Sequence, residues 1–408
     1  MSKRKAAAKS KPSKSLTPEG KRARALLMEL LEVPGISGQE DQVMDWITTR
    51  LRKAGAPKVA IVTDQAHRRT PHGGTVGNLA LVLPGTLKGP RRMLSAHVDT
   101  VPLCEGARPV LKGDWIVPAD KETALGADDR CGVTVVLGAA LEILENKLPH
   151  PPVTFLFTIQ EEVGLFGARH AKIGMLGRPK LAFNFDGGSS EKLTIGATGG
   201  YRMDIRVEGI ASHAGNAPEE GVSAVAISSL AIARLQENGW HGLIQKGKRR
   251  GTSNFGVIHG GQATNVVTPL VEIRAEARSH DPVFRKQIVE AIEKEFRKAV
   301  REVKNVAGRT GKVAIEGHLD YESFLLAEDE PCVVVAEQAI KSEGGTPRCD
   351  ITNGGVDANW LTVRGIPTVT LGCGQANPHT VDERVYLPEF DLGAGIARKL
   401  ATGGESER

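Results

Sequence analysis

The sequence contains few cysteines and no long apolar run. The five cysteines of this 408-residue chain are scattered, and none forms a C-x-x-C pair. This pattern argues against a disulfide framework or a thiolate zinc site, and it indicates reduced thiols in a cytoplasmic protein. No stretch approaches eighteen uninterrupted apolar residues, so we expect no membrane-spanning helix and no membrane partner.

Basic charge is concentrated at the N-terminus. Residues 1–15 contain six Lys or Arg and no acid, which accounts for the net charge of +5 and leaves the rest of the chain close to neutral. Lysines and a proline interrupt any apolar stretch after this basic start, so residues 1–17 are predicted to be a disordered basic tail and not a signal peptide. Aromatic residues make up only 4% of the chain and no nucleic-acid-binding motif is present. We therefore expect no specific nucleic-acid partner.

Strand-like and helix-like segments alternate between residues 18 and 198. Strands are predicted at LALVLPG, RRMLSAHVD, VTFLFTI and KLAFNFDGG, and a helix at GVTVVLGAALEILE. Such alternation is typical of an α/β domain with a mostly parallel sheet and flanking helices.

The pattern changes at Gly199. Period-two alternation in YRMDIRVEGI is followed by further strand-like runs and by a long charged helix at 281–303, before the α/β pattern resumes near residue 329. We interpret 199–318 as a smaller α+β lid or dimerisation domain. It is inserted between the two parts of a discontinuous catalytic domain, 18–198 and 319–408.

Acidic and histidine side chains follow the strand-like runs of the α/β segments. In α/β domains, ligand sites lie just beyond the carboxyl ends of the strands. The residues at these positions are His97, Asp99, Asp128, Asp129, Glu161, Glu162, Asp186 and His379.

Each of these residues also has an ordinary structural interpretation. Glu161 and Glu162 would suit a solvated loop, Asp129 a helix N-cap, Asp186 a turn and His97 a satisfied core histidine. Together these explanations fail, because several acids at one rim would raise one another's pKa unless a cation neutralised them.

The residue types favour a particular kind of cation site. Two imidazoles and several carboxylates without a thiolate suit a hydrolytic dinuclear zinc site, with cobalt or manganese as alternatives. In such a site one acid bridges two ions about 3.5–4 Å apart, and a carboxylate that binds no metal takes a proton from water. The adjacent Glu161 and Glu162 are then explained, since one can bind metal while the other acts as a base.

Seven motifs appear in order and resemble the M20 metallopeptidase family, in particular its peptidase T-like members. They are "AHVDT", "GADDRCG", "QEEVGLFGA", "FDGG", "GIASHAGNAPEEGVSA", "GGQATNVV" and "NPHTVDE". The resemblance runs from about residue 20 to about residue 400. It implies a zinc-exopeptidase fold with an inserted lid.

The resemblance implies two zinc ions per subunit. The implied ligands are His97 and Asp186 for the first ion and Glu162 and His379 for the second, with Asp128 bridging. Asp128 is chosen over Asp129 because the bridging acid of the family directly follows the alanine of this motif. Glu161 matches the general base, and Asp99 matches the acid that orients the ligand His97.

Further implied residues lie outside the metal site. His213 resembles a histidine that polarises the scissile carbonyl in the partner subunit's site, which implies a homodimer formed through the inserted domain; a simple loop histidine is the alternative. Asn265 and Arg278 resemble substrate-contacting positions, although Arg278 could equally belong to a surface ion pair. Gly354 and Gly355, preceded by Asn353, match a glycine-rich loop over the substrate.

These implications predict a cytoplasmic di-zinc aminopeptidase that cleaves short peptides by attack of metal-bound hydroxide, with Glu161 as base. The alternatives are an N-acyl amino acid deacylase, a carboxypeptidase-type member and, from another class, a catalytically silent scaffold. Tripeptide-cleaving members carry an arginine where this chain has Asn353, and an amide does not reproduce a bidentate guanidinium clamp. Asp186 at the third-ligand position is instead the pattern of the family's aminopeptidases.

Overall fold

A computed structural model describes residues 17–403, so all of the predicted basic tail except Thr17 lies outside the described residues. Thr17 caps the first helix, because its hydroxyl accepts a hydrogen bond from the Gly20 amide at 3.2 Å. The α-helices of the described residues are α1 Pro18–Leu31, α2 Asp41–Lys53, α3 Ala127–Asn146, α4 Phe166–His170, α5 Ala224–Glu237, α6 Pro282–Glu302, α7 Pro331–Ser342, α8 Ala358–Val363 and α9 Leu387–Thr402.

The strands of the same region form three sheets. They are β1 Ile61–Thr63, β2 Leu79–Leu83, β3 Arg92–His97, β4 Pro109–Lys112, β5 Trp115–Pro118, β6 Val153–Thr158, β7 Leu181–Phe185, β8 Lys192–Ala197, β9 Gly199–Glu208, β10 Gly242–Lys246, β11 Arg249–Gly260, β12 Leu270–Ser279, β13 Lys312–Tyr321, β14 Phe324–Leu325, β15 Arg348–Thr352, β16 Thr368–Leu371, β17 Gln375–Ala376 and β18 Arg384–Tyr386.

The largest sheet has nine strands in the order β1-β2-β6-β3-β7-β16-β8-β14, with β15 also paired to β8. Its central strands β6, β3, β7 and β16 are parallel. Alternate residues of β6 enter different cores: Phe155 and Phe157 pack in the cluster that includes α1, α3 and α9, whereas Leu156 packs with Ala168 of α4 and Leu361 of α8. Helices on both faces bury the central strands completely. The predicted α/β fold with a mostly parallel central sheet is confirmed.

The second sheet is antiparallel, in the order β10-β11-β12-β9-β13. One face of β9 carries the buried Met203, Ile205 and Val207, which share a separate apolar cluster with residues of α5 and α6. The opposite face is exposed and charged. β9 begins at the predicted start of the insertion, whereas β13 runs three residues past its predicted end at 318. The division into domains stays a prediction.

The third sheet, β17-β18-β5-β4, was not anticipated from the sequence. Its strands have two to four residues each, too few to show a clear hydrophobic period. All five cysteines lie within the described residues, and none forms a disulfide there.

The start of α3 is shaped by a close approach to the central sheet. Asp128 and Asp129 have non-helical backbone angles, so the regular helix begins after them. A Cβ atom at Gly132 would collide with the carbonyl oxygen of Phe185, the last residue of β7, and with the carboxylate of Asp129. Glycine at this position therefore allows α3 to start directly beside the carboxyl end of β7.

The two main cores provide a test of the domain division. Phe296 is fully buried in the α5–α6 cluster, with its ring centroid 5.9 Å from that of Phe255. Phe296→Ala should lower the free energy of unfolding by about 3–5 kcal/mol through cavity formation. If the insertion is a domain, calorimetry should show this loss in one transition, and Phe155→Ala should shift another. Val306→Ala, at a side chain 74% exposed, is the control. A single transition lowered by both core substitutions would contradict the division.

Candidate metal centre

The structure brings the predicted metal ligands together at one edge of the central sheet. His97 is the last residue of β3, Asp186 directly follows β7, and Glu162 lies in the turn after β6. Asp128 comes from the start of α3, and His379 from the loop between β17 and β18. Because the carboxyl ends of parallel strands meet at one edge, residues far apart in sequence become neighbours there.

Asp128 lies between the two histidines. Its Oδ1 is 3.2 Å from His97 Nε2, and its Oδ2 is 3.5 Å from His379 Nε2. On its other side, His379 Nε2 is 2.8 Å from Glu162 Oε2. Burial alone would raise the pKa of Asp128, but the hydrogen bonds from the two histidines hold it well below its usual range. Each oxygen of one carboxylate is thus directed at a different imidazole.

The surrounding acids are crowded, and most of them are partly buried. Burial, followed by the charge of Asp128, raises the pKa of Asp186 to about 7. Burial also raises the pKa of Glu161 well above its usual value, and the charges of Asp186 and Glu162 add to this effect. Ionised carboxylates are costly in such surroundings unless cations compensate them. Carboxylate oxygen and imidazole nitrogen atoms are metal ligands, and bound metal ions would compensate the repulsion between these carboxylates.

Among residues 17–403, two groups of donor atoms lie close enough to hold an ion. One comprises His97, Asp128 and Glu162, and the other Asp128, Asp129 and Asp186; within each group the donor atoms lie within 4.8 Å of one another. Asp128 belongs to both groups. His97 falls in the group with Glu162, and Asp186 falls in the group with Asp129. The assignment of ligands to each ion stays a prediction.

Asp129 was not among the expected ligands. Its Oδ1 accepts a hydrogen bond from the Gly132 amide at 3.0 Å, and its Oδ2 accepts one from the His97 amide at 3.2 Å. The first bond caps the regular part of α3, which is the alternative role weighed for this residue. Asp129 therefore connects the start of α3 to the end of β3.

Asp99 holds both His97 and the two adjacent glutamates. The Nδ1 of His97 donates to the Asp99 carbonyl oxygen at 3.1 Å and lies 3.4 Å from its Oδ1. The amides of Glu161 and Glu162 donate to Asp99 Oδ1 and Oδ2 at 2.9 and 3.2 Å. With Nδ1 occupied as a donor, Nε2 of His97 is directed at Asp128 as a potential ligand atom.

Glu383 was not predicted from the sequence, although its carboxylate accepts a hydrogen bond from the Asp128 backbone amide. Its carboxylate is 1% exposed and accepts hydrogen bonds from three amides, those of Leu125, Gly126 and Asp128, at 2.9, 2.7 and 3.0 Å. Its position in the "NPHTVDE" motif was the available signal. Nothing in the sequence separates it from an exposed neighbour such as Asp382.

Two further buried acids were also missed. Glu40 accepts hydrogen bonds from the Gly38 and Gln160 amides at 2.8 and 3.2 Å, and burial together with Asp99 raises its pKa to about 7. Asp357 accepts a hydrogen bond from the Thr158 hydroxyl, while its Oδ1 has no partner among the described residues. Burial raises the pKa of Asp357 to about 6, although this hydrogen bond opposes the shift.

His213 and Asn265 lie close to each other within residues 199–318, the segment predicted to be inserted. The amide of Ala214 donates to the Asn265 carbonyl at 2.8 Å. His213 is exposed, and its Nδ1 accepts hydrogen bonds from the amides of Gly215 and Asn216 at 3.2 and 3.1 Å. In the described part of the chain, no hydrogen bond or ion pair joins His213 to the predicted metal ligands.

The structure does bring Arg278 to the glycine-rich loop. Arg278 Nη1 is 3.5 Å from the Asn353 carbonyl oxygen, and the guanidinium also pairs with Glu276. The loop needs glycine, because a Cβ atom at Gly355 would lie 2.9 Å from the ring of Tyr321. Gly354 is exposed and donates its amide to the Thr352 hydroxyl at 3.2 Å.

Comparison with known proteins decides the family. The sequence profile of the peptidase family M20/M25/M40 matches residues 93–403. The chain belongs to this family.

Similar proteins extend over nearly the whole of this M20 peptidase. It is 29% identical over 368 residues to an uncharacterised protein, YqjE, of Bacillus subtilis, with 90% of this chain and 95% of the relative covered. A tripeptidase structure from Staphylococcus aureus has a TM-score of 0.85 and 28% identity, and covers 94% of this chain and 97% of its own. An aminopeptidase PepT structure from Bacillus cereus has a TM-score of 0.82 and 30% identity, with coverage of 94% and 98%.

These similarities confirm the predicted family and the prediction of a metallopeptidase. They also match the predicted peptidase T-like character. Among residues 17–403, no helix is long and apolar enough to cross a membrane.

The contacts of Glu383 lead to a prediction for metal affinity. Glu383→Ala removes the acceptor for three amides and frees the loop before Asp128, so metal affinity should fall about 10–100-fold, as for other residues that hold a ligand in place. Competition with a metal chelator measures this change. The matched control is Asp382→Ala, at the exposed neighbouring residue. Equal affinities of the two variants would show that Glu383 does not position Asp128.

Proposed function

We propose that this M20 peptidase is a two-metal aminopeptidase that releases N-terminal residues from short peptides. The observation that carries the proposal is the position of Asp128, whose two oxygens face two different histidines. The similarity to a tripeptidase and to an aminopeptidase supports the peptide substrate. Zinc is the proposed metal, because the donors are imidazole and carboxylate; cobalt and manganese suit the same donors.

The residues around Asp128 have the donor types that two metal ions would need. His97 and Asp186 would hold the first ion, and Glu162 and His379 the second. When bound, the metal pair would polarise the scissile carbonyl and lower the pKa of a water molecule. The protein's own contribution is to keep these donors in place through Asp99, which is hydrogen-bonded to both His97 and the Glu162 amide.

Glu161 is proposed as the general base because its contacts differ from those of Glu162. Glu162 pairs with His379, whereas no hydrogen bond reaches the Glu161 carboxylate from the described residues. The Glu161 backbone is nevertheless fixed, since its amide donates to Asp99 at 2.9 Å. A carboxylate with a fixed backbone and no partner is suited to take a proton from the attacking water and pass it to the leaving amine.

Substrate contacts are proposed for the inserted segment and the glycine-rich loop. Asn265 adjoins the His213 loop, and Arg278 adjoins Asn353. His213 is proposed to polarise the scissile carbonyl in the partner subunit of a homodimer. Its exposure supports this role, as does the absence, among residues 17–403, of a hydrogen bond or ion pair between His213 and the predicted ligands.

The two adjacent glutamates give different predictions. Glu161→Ala should keep close to two zinc ions per chain but lose turnover by about 10²–10⁴-fold, because the general base is removed. Glu162→Ala should lose metal as well as activity. Metal analysis by atomic emission and release of alanine from trialanine provide the two measurements. Metal loss in the first variant together with retention in the second would mean that the roles are exchanged.

The same assay tests the direction of cleavage. Mass spectrometry of a mixed-sequence tripeptide should show release of the N-terminal residue, and N-acetylation of that peptide should block the reaction. Release of the C-terminal residue, or of acetate from N-acetyl amino acids, would replace the aminopeptidase proposal with one of the alternatives. A metal-free protein that still hydrolyses peptides would contradict the two-metal proposal.

Mixing two inactive variants tests the shared active site. His213→Ala and Glu161→Ala should each be nearly inactive, whereas their mixture should recover about a quarter of wild-type sites after subunit exchange, because about half of the dimers are hybrid and each has one intact site. Native mass spectrometry follows the exchange, and the peptide assay follows recovery. If activity stays at background despite proven exchange, or if a monomer is fully active, His213 either acts in the active site of its own chain or has only a structural role.

A further inference from the structure

A row of paired charges crosses the open face of the antiparallel sheet. Arg278 Nε donates to Glu276 Oε1 at 3.0 Å, and its Nη2 donates to Oε2 at 2.9 Å. Glu276 lies opposite Arg202 in the β12–β9 register, and Arg202 Nε is 2.6 Å from Asp320 Oδ2. The row therefore contains two arginines and two acids, and both arginines are paired.

The row ends at the loop that leads to the metal centre. Arg278 Nη1 lies 3.5 Å from the Asn353 carbonyl oxygen. Further along the loop, a Cβ atom at Gly355 would lie 3.2 Å from Leu165, which follows the glutamate pair in the turn after β6. The loop then reaches the buried Asp357, which accepts a hydrogen bond from Thr158 at the end of β6. A peptide extending from the metal centre along this loop would meet Arg278.

The ion pair limits what Arg278 can offer to such a peptide. A free guanidinium binds a carboxylate through two parallel N–H groups. Here Glu276 accepts from one N–H of Nε and one of Nη2, so the N–H groups that remain on Nη1 and Nη2 belong to a guanidinium whose charge is already balanced. An incoming carboxylate would also be repelled by Glu276. Asn353, on the adjoining loop, supplies a neutral amide and no additional cation.

We propose that Glu276 is a specificity-determining residue that cancels the charge of Arg278 and thereby removes the need for a free C-terminal carboxylate on the substrate. The enzyme would accept peptides whose C-terminal end is amidated or continues as a longer chain. This inference rests on the proposed peptidase function and narrows its substrate class.

The same strand provides a matched control. Glu272 lies on the same face of β12, four residues from Glu276, and pairs with Arg206 at 2.6 Å. Like the Arg278–Glu276 pair, it consists of an arginine and a glutamate with partly exposed side chains. In the described residues, no contact joins the Arg206–Glu272 pair to the Asn353 loop. Removing its charge changes the sheet face but not the proposed specificity.

The test compares trialanine with trialaninamide. Wild-type zinc-loaded enzyme should hydrolyse both with kcat/KM values within about threefold of each other. Glu276→Gln should shift the ratio about tenfold towards trialanine, mainly through KM, the effect expected of one charge-assisted hydrogen bond to the substrate. Glu272→Gln should leave the ratio unchanged. Asn353→Arg, which adds a cation at the same rim, should shift the ratio in the same direction as Glu276→Gln.

A binding measurement separates this inference from the proposed function. Calorimetric titration of zinc-loaded Glu161→Gln with each peptide reports affinity without turnover, and Glu276→Gln is introduced into the same background. The inference is supported if Glu161→Gln binds both peptides with similar affinity and the double variant prefers trialanine. This holds even if wild-type enzyme hydrolyses neither peptide, and in that case only the proposed function fails. A strong preference for trialanine that Glu276→Gln leaves unchanged, or no binding of either peptide, would overturn the inference.

Discussion

Crowding of buried and partly buried carboxyl groups at one edge of the central sheet is the constraint on which the rest of the structure depends. The acids come from three places near the ends of β3, β6 and β7: the start of α3 (Asp128 and Asp129), the turn after β6 (Glu161 and Glu162) and the residue after β7 (Asp186). Like charges in low-dielectric surroundings raise one another's pKa, and only compensating cations make such an arrangement favourable in the ionised state. Two histidines provide part of this compensation through Asp128. The remaining negative charge is what makes the edge a site for metal ions.

The protein holds these acids with other acids. The Asp99 carboxylate accepts hydrogen bonds from the backbone amides of Glu161 and Glu162. In the same way, Glu40 accepts one from the amide of Gln160, and Glu383 accepts one from the amide of Asp128. Hydrogen bonds from backbone amides to carboxylates are strong and add no positive side chain that would compete for the metal site. The loops that carry the donor atoms can therefore be fixed while the centre keeps its negative charge.

The fold and the strand-end residues could be predicted because they follow short sequence periods and lie in recognisable motifs. His97 and Asp186 each come at the end of a mainly apolar, strand-like run, and this position indicates the carboxyl end of a strand. Glu383 and Asp357 could not be predicted, because their roles depend on loops that approach from distant parts of the chain. For Arg278, ion pairing and substrate contact were both possible from the sequence. The structure shows the ion pair and also places the residue beside Asn353.

The metal centre and the proposed substrate-selecting row lie in different kinds of structure. The metal edge belongs to buried parallel strands, whose alternate residues are fixed in two packed cores. The charged row belongs to the open face of an antiparallel sheet, where one side of each strand is free of packing constraints. A substitution such as Glu276→Gln changes charge there without disturbing the α5–α6 core, which contacts the other face. If the charged row selects substrates as proposed, substrate preference can vary on this sheet while the metal centre stays the same, and one peptidase fold can then serve substrates with different ends.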